Sequence, residues 1–127
     1  MALQYTVIKQ RNPANREEII YTARAVSSGE VTLDELSREL EMMSTLSIAD
    51  IYAVIYGLLD RLEFHLSNGK IVRLDDLISL SVSLKSNKRY TEAEVNEASI
   101  ERARLVARPG KRIRRMLDTL KFLKKKG

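Results

Sequence analysis

The sequence predicts an α+β fold, with helices packed against a small antiparallel sheet, and three stretches carry that prediction. Residues 47–66 place apolar side chains at Ile48, Ile51, Tyr52, Val54, Ile55, Leu58, Leu59, Leu62, Phe64 and Leu66. That covers well over half of a helical circumference, whereas a surface helix of a small domain shows one apolar stripe of about 100°. Ile78, Leu80, Val82 and Leu84 alternate with Ser79, Ser81 and Ser83, the period of a strand with one face in the core and one in water. Residues 100–108 alternate again, Ala103, Leu105 and Ala107 against Arg102, Arg104, Val106 and Arg108. A helix buried on several sides needs more material than a 127-residue chain supplies. The central helix is therefore expected to face a second copy, in an intertwined homodimer.

Taken in order, residues 3–9 mix β-branched and aromatic types and predict a short strand, which Pro13 ends. Asn15 followed by Glu17 and Glu18 resembles a helix start, and Ile19, Ile20, Ala23 and Val26 give an apolar side, so a first helix is expected to about Ser27. Ser28-Gly29 stops it. Thr32 with Glu35 forms a capping box for the next helix, whose Leu33, Leu36, Leu40 and Met43 share a face. It ends near Ser44-Thr45, and Ser47 with Asp50 opens the central helix, making a helical hairpin.

Asn68-Gly69 closes the central helix, because Gly69 can take the left-handed conformation required there. Ile71, Val72 and Leu74 predict a strand, Asp75-Asp76 a turn. Lys85 to Arg89 reads as a polar, basic loop, and Thr91–Asn96 as one helical turn. Pro109 suits the first turn of a last helix, in which Ile113, Met116, Leu117, Leu120 and Leu123 form the apolar stripe, followed by a frayed tail of Lys124, Lys125, Lys126 and Gly127.

Charge is divided unevenly along the chain. Residues 1–101 hold 11 Lys/Arg against 16 Asp/Glu, while residues 102–127 hold 11 Lys/Arg against Asp118 alone. A basic C-terminal quarter on an acidic body points to a polyanionic partner. The absence of cysteine excludes disulfides, thiolate metal sites and cysteine nucleophiles, and is compatible with a reducing cytoplasm. No apolar run has the length of a membrane span, and the first ten residues lack the pattern of a signal peptide.

From Thr32 onward the order helix, helix, strand, strand, basic strand, helix resembles the HU/IHF family of bacterial histone-like DNA-binding proteins. The likeness rests on Asn68-Gly69-Lys70-Ile71-Val72-Arg73-Leu74, where that family has a glycine turn and a Val-x-Leu strand. It rests equally on Arg108-Pro109-Gly110-Lys111, matching the family's step before its last helix. It covers about 90 residues and implies the HU/IHF-like fold, an intertwined homodimer and a single domain over 1–127. Within it, 32–124 form the HU-like core, 125–127 a basic tail, and 1–31 a strand–helix extension of the kind carried by a divergent Bacteroidetes-type branch.

There are departures. Asp76 and Ile78 stand where the family often has glycine, and Ala107 where it has phenylalanine. Only 15 residues separate Leu84 from Ile100, so the long DNA-wrapping arm is reduced. Arg11-Asn12-Pro13 matches the family's arm-tip tripeptide but lies on the wrong side of the helical hairpin and is read as a coincidence.

The expected partner is double-stranded DNA, bound by its backbone largely without sequence preference, in the cytoplasm and on the nucleoid. The candidate contacts are Lys85, Lys88, Arg89, Arg102, Arg104, Arg108, Gly110, Lys111, Arg112 and Arg115. Cationic side chains and an exposed helix start attract phosphate, and Gly110 would permit close approach. Base-specific readout would require Asn, Gln or Arg aimed into a groove, and no residues are marked for it. No catalytic residue, metal, cofactor, membrane or small-molecule substrate is expected. His65, the single histidine, reads as structural or surface, Asp75-Asp76 as a turn, and the glutamate pairs as solvated charge. Two alternatives remain: a dimeric interaction module that keeps the core without binding DNA, and a helix-turn-helix regulator, whose second helix would be too apolar for a major groove.

Overall fold

The computed structural model describes residues 2–126. Six strands and three helices follow in the order β1 (Leu3–Asn12), β2 (Asn15–Val26), α1 (Leu33–Met43), α2 (Ile48–Ser67), β3 (Val72–Leu74), β4 (Ile78–Ser86), β5 (Ile100–Pro109), α3 (Lys111–Asp118) and β6 (Phe122–Lys124). They make two three-stranded sheets, ordered β2–β1–β6 and β3–β4–β5.

The helical hairpin forms as its caps dictate. The Thr32 hydroxyl accepts from the Glu35 N–H and the Ser47 hydroxyl from the Asp50 N–H, each satisfying a backbone donor left over at a helix start. Gly69 ends α2 at φ 78°. Across the hairpin the Tyr52 hydroxyl donates to Asp34 Oδ1 at 2.6 Å. This bond holds the phenol proton and raises the Tyr52 pKa above its ordinary value, with the slight burial of the ring and the nearby negative charge of Asp34 adding to the shift.

The C-terminal sheet follows the predicted alternation, β4 running antiparallel to both β3 and β5. Asp75 adopts φ 51° in the turn between β3 and β4, a conformation that aspartate tolerates, and the Leu77 N–H donates to the Leu74 carbonyl at 3.0 Å. Two short 3-10 turns, Glu92–Glu94 and Glu97–Ser99, occupy the link before β5.

Three expectations are corrected. Residues 15–27 form strand β2, not a helix, so the extension over 1–31 is a β-hairpin. The Asn15 side chain accepts from the Glu17 N–H, two residues on. This is a turn contact and not the helix cap it resembles. β2 then pairs residue by residue with β1, Gln4 opposite Val26 through Arg11 opposite Ile19. Arg11-Asn12-Pro13 thereby lies at the tip of this hairpin, where Asn12 Oδ1 accepts from the Ala14 N–H and Asn12 Nδ2 donates to Glu18.

The second correction concerns the last helix, which starts at Lys111 with Gly110 as its cap, leaving Pro109 in β5. The third concerns its end. α3 stops at Asp118, where the Thr119 hydroxyl donates back to the Arg115 and Met116 carbonyls. Leu123 and Lys124 instead join β6, parallel to β1 with Leu3 opposite Phe122 and Tyr5 opposite Lys124. The tail residue Gly127 lies outside the described residues.

Little of this chain is buried. Among the described residues Ile51, at 4% exposure, is the one buried hydrophobic residue, beside the fully buried Ser37 and Ser99. The accessible surface is 11362 Å², whereas a compact monomer of 14.5 kDa exposes about 6,900 Å². Val54, Leu58 and Leu59 of α2 and Leu36, Leu40 and Met43 of α1 are all open to solvent. The breadth of the apolar stripe on α2 thus exceeds what this one chain covers.

Candidate nucleic-acid interface

Strand register assembles the candidate surface. Residues directly opposite one another in a sheet share a face. Arg73, Ser79 and Arg108 therefore form one row across all three strands, followed by Ser81 with Val106, Ser83 with Arg104, and Lys85 with Arg102. The rows alternate with the apolar pairs Leu80–Ala107, Val82–Leu105 and Leu84–Ala103, which take the opposite face. The result is a sheet face of arginine and lysine side chains spaced by serines, with no carboxylate at any of its paired positions. Arg73, Arg102, Arg104 and Arg108 are all exposed. Small serines between long cations leave the guanidinium groups free to reach outward over the sheet.

Lys85 is the partly neutralised member. Its amine lies 3.4 Å from Glu101 Oε2, with both side chains about half exposed, a pairing that contributes little in water and is screened by salt. Lys88 and Arg89 follow at the far end of the ribbon, where Arg89 Nη1 donates to the Lys88 carbonyl at 3.2 Å. Beside them Tyr90 is 99% exposed. The length of β4, roughly 27 Å, separates this loop from the α3 end of the sheet. The ten predicted contacts therefore form no single cluster but an end group at the loop, an end group at α3 and a middle set. Arg102, Arg104 and Arg108 lie between them on the sheet face.

At the α3 end, Lys111 and Arg115 are one helical turn apart and Arg112 lies beside them. The role predicted for Gly110 changes here. The Gly110 N–H donates to the Leu77 carbonyl at 2.8 Å and the Arg112 N–H to the Asp76 carbonyl at 3.0 Å. A Cβ at position 110 would overlap the Asp76 backbone carbonyl. Close approach is thus made by the Asp75–Leu77 turn within the chain, and the helix start is partly satisfied before any ligand arrives. What remains for a polyanion at this end is the side-chain charge of Lys111, Arg112 and Arg115.

Arg73 is the residue that the candidate set missed. Its signal was present: Val72 and Leu74 occupy one side of a strand, which sends Arg73 to the other. Only the pairing with Ser79 and Arg108 shows that this other side is the cationic face.

Among the described residues no group of three His, Cys, Asp or Glu could hold a metal ion, and no helix is long and apolar enough to cross a membrane. His65 lies in the last turn of α2, edge-on to the Phe64 ring with centroids 5.2 Å apart. Asp75 and Asp76 form the turn described above.

Comparison with known proteins bears on the family and the fold. A family model described as an HU domain fused to wHTH, Ig or glycine-rich motif matches residues 1–124, a span that includes the N-terminal hairpin. A crystal structure from Bacteroides vulgatus, provisionally described as that of a bacterial DNA-binding protein, superposes with a TM-score of 0.68 at 10% identity. It aligns with 98% of this chain and 50% of its own length, so the chain spans about half of that neighbour. At that identity the likeness is one of fold. No curated protein matches the sequence.

Proposed function

The chain belongs to the HU-HIG family of HU domains, and from that premise we propose that it binds double-stranded DNA as a histone-like architectural protein, largely without sequence preference. The observation that carries this reading is the cationic face of β3–β4–β5, where Arg73, Arg102, Arg104 and Arg108 are held in register with serines between them and the nearby Glu101 carboxylate engages Lys85. Cations fixed on a rigid sheet neutralise phosphates and release their counterions, a term indifferent to base sequence. Lys111, Arg112 and Arg115 extend the contact at the α3 end, and Lys85, Lys88 and Arg89 at the loop end. The neighbouring structure's description as DNA-binding supports the same partner.

The DNA-binding unit in this reading is a homodimer, in the cytoplasm and associated with the nucleoid. Its helical seam is the groove lined by Leu40, Met43, Leu46, Ile51, Val54 and Ile55. Covering that groove with a second copy removes part of the roughly 4,500 Å² by which the chain exceeds a compact monomer of its mass. Two copies also double the cationic face, which favours backbone contact with a bent duplex.

The test is fluorescence anisotropy with labelled duplexes of several unrelated sequences at matched salt. Binding within about threefold across sequences, and weakening steeply as salt rises, is the expected result. A single strongly preferred duplex would identify a regulator instead. No binding at low salt would leave the dimeric scaffold reading.

A further inference from the structure

We infer that the open edge of β2 is an interface between copies of this chain, β2 pairing antiparallel with β2 of a second copy so that the two Tyr21 residues lie opposite each other. This contact is separate from the helical seam and does not depend on DNA binding.

β2 is bordered by β1 on one side, and on the other its backbone is unpaired among the described residues. It is 12 residues long, twice a typical strand. A long regular edge is a template for another strand, and proteins that avoid such pairing guard the edge with proline, lysine or a bulge. Between Asn15 and Val26 there is no proline and no lysine. The one register shift of the hairpin lies at Arg11/Asn12, on the neighbouring strand near the tip.

The side chains of β2 select both the partner and the register. In a two-fold antiparallel pair lying in one sheet, opposed residues share a face, so each register is centred on one residue facing its own copy. Centred on Ile20, Arg16 would oppose Arg24 twice. Centred on Ile19, Thr22 or Ala23, no charged residue would meet an opposite charge. Centred on Tyr21, Glu18 of each copy opposes Arg24 of the other, giving two ion pairs, with Ile19 opposite Ala23 and Ile20 opposite Thr22. Asn12 already orients the Glu18 carboxylate through one oxygen, at 3.0 Å. The two Tyr21 rings, each 66% exposed in the single chain, would form a cross-strand aromatic pair, a favourable contact in sheets. The same arrangement places the exposed apolar faces of both copies, with Leu3, Tyr5, Val7, Ala23 and Ala25, on one side of a continuous six-stranded sheet.

The chain contains no cysteine, so single thiols report the register directly. In this 127-residue chain Tyr21→Cys brings two Cα atoms within about 4.5–5.5 Å, inside disulfide range. Ile19→Cys leaves its two Cα atoms about 14 Å apart. Under mild oxidation Tyr21→Cys should cross-link at least about tenfold faster than Ile19→Cys. Adding Arg24→Glu should slow the Tyr21→Cys reaction about tenfold, and adding Glu18→Arg to that variant should restore it, because the swap re-pairs the charges. Equal cross-linking at the two positions, none at either, faster reaction at position 19, or no rescue by the charge swap would overturn the inference.

Discussion

The sheets β2–β1–β6 and β3–β4–β5 are of equal strand number and obey the same alternation, yet they place different chemistry on the surface. In the N-terminal sheet the face bearing Leu3, Tyr5 and Val7 continues through Ala23, Ala25 and Phe122 and lines an open apolar depression. In the C-terminal sheet the exposed polar face carries Arg73, Arg102, Arg104 and Arg108 between serines. Its apolar residues Val72, Leu74, Ile78 and Leu80 are half-buried at the end where α2 meets β3 and β4. Alternation fixes which residues share a face. It does not fix what the face is for. In the proposed reading one sheet meets protein and the other meets phosphate.

The largest stability effect expected is at the junction of the C-terminal sheet with α3. Gly110→Ala forces a methyl into the Asp76 carbonyl and should cost about 1–3 kcal/mol. Chemical denaturation measures the loss. Hydrogen exchange should show it in the amides of β4, β5 and α3 and not in those of β1 and β2. If the hairpin amides exchange equally fast, the two sheets are one cooperative unit and the division between them fails.

A smaller effect of the opposite pattern is expected from Asn12→Ala. It removes the turn contact to Ala14 and the bond to Glu18, weakening the exposed hairpin by about 0.5–1.5 kcal/mol. Exchange should quicken in β1 and β2 alone, and duplex affinity should stay unchanged.

The smallest effect concerns the helical hairpin that joins the two sheets. Tyr52 ionises above 10.0 because its proton is held by Asp34. The folded chain keeps that proton more tightly than the unfolded chain does. The stabilisation is therefore complete below pH 10 and is lost as pH rises through the raised value. Tyr52→Phe should remove this alkaline dependence from a titration of thermal stability while leaving both sheets paired, and an unchanged alkaline limb would dissociate it from Tyr52.

The core elements were legible because their signals are local. Thr32 and Ser47 cap helices within three residues of themselves, Gly69 ends α2 at a positive φ, and the Ser/Leu alternation of β4 lies in one stretch. The hairpin was misread because asparagine followed by acidic residues satisfies the same short-range hydrogen bonds in a turn as at a helix start. The deciding partner of β2 is β1: the pattern Ile19, Ile20, Ala23, Val26 fits a helical period, whereas in the paired strand Ile19 and Ala23 take one face and Ile20 and Val26 the other. β6 was illegible for a stronger reason: three residues gain strand geometry only from β1 at the other end of the sequence. At the candidate site the arginines were recognisable by type, Arg73 joined them only through register, and Gly110 proved to fit a neighbouring turn.

The most direct test of the division between the sheets is the salt dependence of duplex binding, measured by anisotropy between about 50 and 200 mM salt. Two variants are compared with the parent: Arg73, Arg104 and Arg108 changed to alanine on the C-terminal sheet, and Arg11, Arg16 and Arg24 changed to alanine on the hairpin. Each lost phosphate contact lowers the slope of log affinity against log salt by about 0.9. In the homodimer the first variant removes six such contacts and should flatten the slope by about 5.4, and the second should leave it unchanged. Flattening by the hairpin variant alone would place the DNA on the other sheet and contradict the assignment of the cationic face.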